Sequence, residues 1–339
     1  MATAILGSGV MPAAGGIAQQ LTDMTRPGFI PALIDQTSQS TPSFAMLFAN
    51  NQSFGGGASQ INVPAQFGDM VQTQASDYSG VFTLPNDIQA IQNATFNGKM
   101  TITPIPMFGV EAIIQDGYAI IDLMAARMNS AGNNFSKFGQ TALYNNASDT
   151  TRMIGFPAAI DNGTNAVTYG GINRNSQAAW QSYYRSVPNN TNLTRMECMK
   201  HIMNVVQQSG GEKPTCCFVG VGTWLSLASD FVGQETYQVT PGNSFDKAGD
   251  GPRSGFEAVK VAGIPIFCDI SCANGDMWII NSNYLNLYIH EKLSFAMHPF
   301  ESMWSSGQLG YIGGIVNMME LVNAKPSSCG HVTNLNSLS

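Results

Sequence analysis

Imidazoles and thiols, the side chains best suited to hold a transition metal or move a proton near neutral pH, are few in this chain: four histidines and six cysteines among 339 residues, beside 22 carboxylates. His290-Glu291-Lys292-Leu293-Ser294 opens like the zinc-protease helix His-Glu-x-x-His, where two imidazoles one turn apart hold the ion and the glutamate acts as base. Serine stands where the second imidazole is needed, so the segment reads as a strand end carrying one polar histidine. Cys198-Met199-Lys200-His201 and Cys268-Asp269-Ile270-Ser271-Cys272 contain ligand types, but no matching pair follows at zinc-ribbon spacing. Asp246, Asp250 and Glu257 fall at positions 1, 5 and 12 of a calcium-loop pattern, with Gly251 at position 6. Ala248 occupies position 3 and the flanks read as loop and strand, so a solvated loop is the default and a cation site at Asp246, Asp250 and Glu257 stays open as the alternative.

The chain has no Gly-x-Ser-x-Gly elbow, no phosphate loop ending in Gly-Lys-Ser/Thr, and no Gly-x-Gly-x-x-Gly after a strand. Its carboxylates are scattered singly. We assign no catalytic, cofactor-binding or metal-ligating residue and no cofactor, which moves weight toward a structural or binding role.

Composition points the same way. Only 11% of residues are charged, against about 25% in ordinary soluble domains. The polar surface must therefore come from Asn, Gln, Ser, Thr and Gly, with 28 asparagines against 15 lysines and arginines. Neutral amides and hydroxyls cost less to desolvate at a contact than Lys or Glu, so the surface suits a protein that touches neighbours. A net charge of −7 and a pI near 5.0 argue against wrapping nucleic acid, which needs clustered cations. No apolar stretch approaches the roughly 20 residues that cross a bilayer, and no basic residue precedes Arg26 to start a secretory signal. We therefore expect a protein made and used in a cytoplasm with reduced core thiols, so glycosylation sequons such as Asn51-Gln52-Ser53 and Asn162-Gly163-Thr164 carry no meaning.

The elements that would position these residues can be read in order. Residues 1–55, rich in Gly, Ala, Ser, Thr and Gln, read as an extended arm ending at Gly55-Gly56-Gly57. Alternation at Ile61 and Val63, and again at Met100 and Ile102, marks two strands, Ser59 to Pro64 and Lys99 to Ile105, framing a polar excursion as a long hairpin. Glu111 to Asn145 has helical spacing, with Asn129 to Asn134 expected to bend or interrupt it. A helix capped by Asn192 or Thr194 runs to Gln208 and stops at Gly210-Gly211, followed by a buried strand from Thr215 to Val219 and a helix from Thr223 to Asp230. Short strands follow at 258–261, 264–269, 277–281 and 285–290. A core strand covers Leu309 to Val322, and Gly330 to Leu335 is expected to return beside it.

Gly155-Phe156-Pro157-Ala158-Ala159-Ile160-Asp161-Asn162-Gly163, then Tyr169-Gly170-Gly171-Ile172-Asn173-Arg174 and Trp180, resembles the junction into the outer domain of tailed-phage major capsid proteins of the HK97 type. The resemblance extends to Gly263-Ile264-Pro265-Ile266-Phe267-Cys268-Asp269 and the strand Met277-Trp278-Ile279-Ile280-Asn281. It implies an α+β HK97-like capsid fold: an N-terminal arm at 1–55, an extended loop at 56–108, a peripheral domain with the spine helix at 109–164, an axial domain at 165–300, and C-terminal strands at 301–339 returning to the peripheral domain. The implied function is self-assembly into hexamers and pentamers of an icosahedral head around double-stranded DNA, located in the virion and assembled in the host bacterial cytoplasm. Implied partners are further copies of the chain, a separate scaffolding protein, a portal, and optionally a decoration protein, with sparse non-specific DNA contact.

The founder of that family cross-links through an extended-loop lysine. Residues 27–98 here contain no Lys or Arg, so a shell without covalent cross-links is expected. Three other readings stay open: an encapsulin-like compartment of the same fold, a hydrolase with unrecognised carboxylates, and a surface-layer or adhesive β protein.

Overall fold

A computed structural model describes residues 42–55, 60–68, 80, 91–108, 123–145, 151–231, 258–303, 307–308 and 310–336. In chain order the first elements are α1 (Pro42–Ala49), β1 (Gln52–Phe54), β2 (Gln60–Gln66), β3 (Ile91–Asn97), β4 (Lys99–Phe108), α2 (Leu123–Asn145), α3 (Phe156–Ala159), β5 (Thr168–Tyr169) and β6 (Ile172–Asn173). After them come β7 (Tyr183–Asn192), α4 (Arg195–Gln208), β8 (Cys216–Val219), α5 (Val221–Phe231), β9 (Ala258–Val261), β10 (Ile264–Cys268), β11 (Met277–Ile280), β12 (Leu285–His290), β13 (Ala296–Ser302), β14 (Gly310–Asn323) and β15 (Gly330–Asn336).

The chain divides into two units. One gathers Met1–Ser38, Thr103–Phe135 and Met297–Ile315. Within it, β14 pairs with β13 and with β4. The approach is close: a Cβ on Gly313 would fall 2.8 Å from the Phe300 ring, and one on Gly314 would fall 3.3 Å from the Thr103 carbonyl.

The larger unit gathers Gln39–Ile102, Ser136–Ala296 and Val316–Ser339. Its centre is a six-stranded mixed sheet of order β7-β15-β11-β8-β10-β9. All four residues of β8 are buried, as a strand covered on both faces requires. On one face Cys217, Val219, Ile266, Met277, Ile279 and Val332 pack with Ile202 and Val205 of α4 and Leu227 of α5. On the other, Phe156 lies against Trp278 with ring centroids 5.6 Å apart, and Tyr144 meets Phe156 edge-on at 5.3 Å. The Thr194 hydroxyl caps α4 by accepting the Glu197 N–H at 3.2 Å. Ser209 closes the helix before Gly210 and Gly211 turn the chain away with φ of 82° and 103°. A second ladder runs β1-β12-β14, with β12 alternating buried and half-buried positions.

Four expectations need correction. The hairpin partner of β2 is β3, not β4: Ile61 faces Phe96 and Val63 faces Ala94 in an antiparallel register. Gly98 separates the two strands at a point where a Cβ would lie 2.7 Å from the Met318 methyl, so β4 leaves the hairpin and pairs with β14 instead. Helix α2 continues unbroken through 129–134, because burial of Ala131 and Phe135 outweighs the weak helix propensity of Asn and Gly. Residues 42–54 are not an extended arm, since α1 buries Phe44 and Leu47 and β1 pairs in parallel with β12. Finally, β15 does not return beside β14; it fills the slot between β7 and β11 after the turn at Pro326–Ser328.

Candidate assembly site

The segment that carried the resemblance folds around a buried arginine. β5 and β6 form a two-residue hairpin whose Gly170 and Gly171 have φ of 61° and 81°, the positive pair that a type I′ turn requires. The chain then delivers Arg174 into the interior with no exposed surface. Its guanidinium donates to four carbonyls: Ala158 at 2.8 Å, Ala166 at 3.0 Å, Ala159 at 3.2 Å and Trp180 at 3.3 Å. The Tyr169 ring lies 4.7 Å below the guanidinium carbon. Burial pushes Arg174 below its usual pKa, while Tyr169 and the carboxylate of Asp161, 4.0 Å away, oppose that shift.

Asp161 is fully buried and held by its own loop. One carboxylate oxygen accepts the N–H groups of Gly163, Asn165 and Ala166, each at 2.9 Å, and the other accepts the Asn165 side chain at 3.2 Å. This anion nest supplies the charge that Arg174 needs, which matters because an unpaired buried cation would be expensive. The arginine therefore ties α3, the 161–166 loop and Trp180 into one body.

Two further elements dock on that body. The β2–β3 hairpin attaches through the Thr95 N–H, which donates to the Gly170 carbonyl at 2.9 Å, and through Phe96 against Tyr169 at 4.9 Å. Strand β14 attaches at its end, where the Asn323 N–H donates to the Tyr169 hydroxyl at 2.8 Å and its side chain donates to the Ala159 carbonyl at 3.3 Å. The site fastens the β2–β3 hairpin to the junction at Thr95 and Phe96. That is positioning, not bond-making chemistry.

A second buried carboxylate anchors α1. Asp269, at the end of β10, accepts from the hydroxyls of Ser43 and Tyr144 and from the Ser271 N–H. Asp269 was legible only as an acid after a strand, and nothing in the sequence marked Ser43 or Tyr144 as its partners. The role of Asp161 did have a signal, since Asp-Asn-Gly-Thr-Asn is the composition of a side-chain-capped turn.

The residues singled out for chemistry do not converge. His290 ends β12, where its Nδ1 accepts the Lys292 N–H at 3.2 Å and its ring meets Phe54 edge-on. None of the six cysteines forms a disulfide, and burial pushes the thiols of Cys198 and Cys216 up to about 12, which disfavours the reactive thiolate. Among the described residues no three His, Cys, Asp or Glu side chains group as metal ligands. Asp246, Asp250 and Glu257 lie outside the described residues. No helix among them is long and apolar enough to cross a membrane.

No protein-family model matches the sequence, and no curated protein does. Solved structures do match, nearly end to end. The chain superposes on the capsid asymmetric unit of cyanophage A-1(L) with a TM-score of 0.66 at 16% identity, covering 94% of this chain and 99% of that one. It is similar to the capsid of a native GTA particle (TM-score 0.56, 12% identity, 90% and 96% covered). It is also similar to the holo-SrpI encapsulin complex from Synechococcus elongatus PCC 7942 (0.55, 10%, 90% and 93%). The chain thus has the α+β, HK97-like fold of tailed-phage major capsid proteins, a fold that the encapsulin shares.

Proposed function

We propose that this protein is a non-enzymatic, self-assembling shell subunit, one of many copies that form hexamers and pentamers of a phage head enclosing double-stranded DNA. The observation that carries this reading is the near-complete mutual coverage with a cyanophage capsid chain. The junction supports it, since a shell subunit must hold an extended hairpin rigidly enough to meet a neighbour. The scarcity of charge supports it too, because neutral surfaces allow many weak contacts to form and dissolve before closure.

In this reading the arm is confined to the part of 1–55 before α1 and the extended loop to the part of 56–108 before β4, with 109–164 the peripheral domain with the spine and 165–300 the axial domain. The C-terminal stretch 301–339 divides, with β15 completing the six-stranded sheet. Scaffolding, portal and decoration proteins would be separate chains, and the location would be the virion after assembly in a bacterial cytoplasm. Negative-stain electron microscopy of the purified protein is the test. Closed shells or capsomer rings are expected, and a stable monomer at all concentrations would refute the reading.

A second reading, an encapsulin-like compartment, is favoured by the likeness to the encapsulin structure. Contents separate the two. Particles recovered from their native source should hold DNA in the first case and protein cargo in the second.

A further inference from the structure

Three Asn-Gly pairs occur in the chain, Asn97-Gly98, Asn162-Gly163 and Asn274-Gly275, and all three lie among the described residues. Such a pair can modify itself. The glycine nitrogen attacks the asparagine side-chain carbon, and glycine permits the approach because no Cβ stands in the way. The attack needs two freedoms: the glycine N–H must be able to turn toward the carboxamide, and the carboxamide must be able to turn to meet it.

Two of the pairs have neither. The Gly163 N–H donates to Asp161 Oδ2 at 2.9 Å, while Asn162 Oδ1 accepts from the Thr164 N–H at 3.2 Å and from its hydroxyl at 2.6 Å. The Gly275 N–H donates to the Thr223 hydroxyl oxygen at 2.8 Å, and Asn274 Oδ1 accepts from the Gly222 N–H at 2.9 Å. In both, nucleophile and carboxamide are each tied to a third group.

Asn97 and Gly98 differ in both respects. Asn97 is the last residue of β3, is exposed, and pairs in the ladder with Gln60, the first residue of β2. Among the described residues no hydrogen bond engages its carboxamide or the Gly98 N–H. Opening the terminal rung of the hairpin frees this pair, whereas Asn162 and Asn274 are released only by dismantling the Asp161 nest or the turn between β10 and β11.

We propose that Asn97 is a site of spontaneous self-modification. The Gly98 nitrogen forms a bond to Asn97 Cγ, the Cγ–Nδ2 bond breaks, and ammonia leaves with the proton that Gly98 gives up. Water then opens the cyclic imide at either carbonyl, giving aspartate or isoaspartate at position 97. Nothing is oxidised or reduced, and water is the sole co-reactant. Either product replaces a neutral amide by a carboxylate two residues before Lys99. Isoaspartate also routes the backbone through the former side chain and lengthens it by one carbon. That carbon falls where the chain is tightly packed, since a Cβ on Gly98 would lie 2.7 Å from the Met318 methyl and 2.9 Å from the Phe54 ring. The modification therefore loosens the passage from the β2–β3 hairpin to the pairing of β4 with β14. It proceeds whether or not copies of the chain assemble.

The test follows full-length, folded subunits held in mildly alkaline buffer. Samples are digested in heavy-oxygen water, so that conversion during digestion carries its own label, and the peptides holding the Asn-Gly pairs are quantified by mass spectrometry. Isoaspartate is counted separately, by enzymatic transfer of a labelled methyl group to its free carboxylate. Conversion at Asn97 should run at least about tenfold faster than at Asn162 or Asn274, the ratio expected when two further hydrogen bonds must break. In concentrated urea the three rates should converge, because each site is then a bare Asn-Gly. Comparable rates in the folded state, or an Asn97 lead that persists in urea, would overturn the assignment. Asn97→Gln alters an exposed side chain, so it should keep the wild-type melting midpoint and lose most of the methyl transfer. Methyl transfer equal to the wild type in that variant would place the modification elsewhere and sink the proposal.

Discussion

The Ser43 hydroxyl donates to Asp269 Oδ2 at 2.5 Å, joining residues 226 positions apart, and the Tyr144 hydroxyl donates to the same oxygen at 2.8 Å. Both carboxylate oxygens are used, because Ser271 N–H donates to Oδ1 at 2.9 Å. One buried acid thereby fixes the start of α1, the end of α2 and the turn after β10. Hydrogen bonds to a charged acceptor contribute about 1.5–3 kcal/mol each and are costly to leave unmade. Asp269→Asn should destabilise the larger unit by about 2–3 kcal/mol, with faster hydrogen exchange across Pro42–Ala49 than across β8. Unchanged exchange in α1 would show that its apolar face alone holds it.

Arg174 should be the least replaceable cation in the chain. Lysine offers three donors from a single point and cannot span carbonyls on Ala158, Ala159, Ala166 and Trp180. Removing the guanidinium also strands the buried carboxylate of Asp161. Arg174→Met and Arg174→Lys should each cost about 3–5 kcal/mol, lowering the melting midpoint by roughly 10 °C in a differential scanning experiment. A shift of only a degree or two would mean that the junction does not depend on its arginine.

Gly170 is predicted to control the hairpin more than the core. Its φ is 61°, and a Cβ at this position would fall 2.7 Å from the Phe96 ring, which leaves no room for a side chain. Gly170→Ala should loosen the seat of β3 on Tyr169. Limited proteolysis should then cut between residues 60 and 97 faster than in the wild type, while the six-stranded sheet keeps its protection.

Glu320 sets a pH dependence whose sign can be worked out. It is fully buried on β14, with Oε1 accepting from the Ile154 and Leu321 N–H groups while Oε2 has no partner. Burial raises its pKa from 4.5 to about 7, against the opposing pull of those two bonds and of Lys99. The folded state therefore binds this proton more tightly than the unfolded state, so the associated stability is complete below about pH 4.5 and is lost as pH rises through about 7. Integrated over that window the effect is on the order of 3 kcal/mol. Chemical denaturation at pH 5 and pH 8 should show Glu320→Gln less sensitive to this rise than the wild type, and equal slopes would refute the assignment.

Assembled particles should carry no isopeptide bonds through the extended loop. Residues 27–98 offer no lysine to attack a neighbour. A boiled, reduced gel is expected to give one band near 36.2 kDa; a ladder of covalent multimers would contradict this.

Local patterns determined much of this protein before any folding. The Thr194 cap, the Gly210-Gly211 stop, the alternation of β2 and the Gly170-Gly171 turn are written within a few residues of where they act, because caps and turns depend on neighbouring backbone groups. The lack of a recognised catalytic motif and the 72-residue stretch without a basic side chain were equally plain. Partnership was not. That β2 pairs with β3, that β15 lies between β7 and β11, and that α2 runs through Asn129 to Asn134 depend on which surfaces are buried together. The same holds for Ser43 and Tyr144 meeting at Asp269 and for Arg174 finding its four carbonyls. Pairing across long sequence separation is chosen by burial and hydrogen-bond satisfaction in three dimensions, and only the tertiary structure decides it.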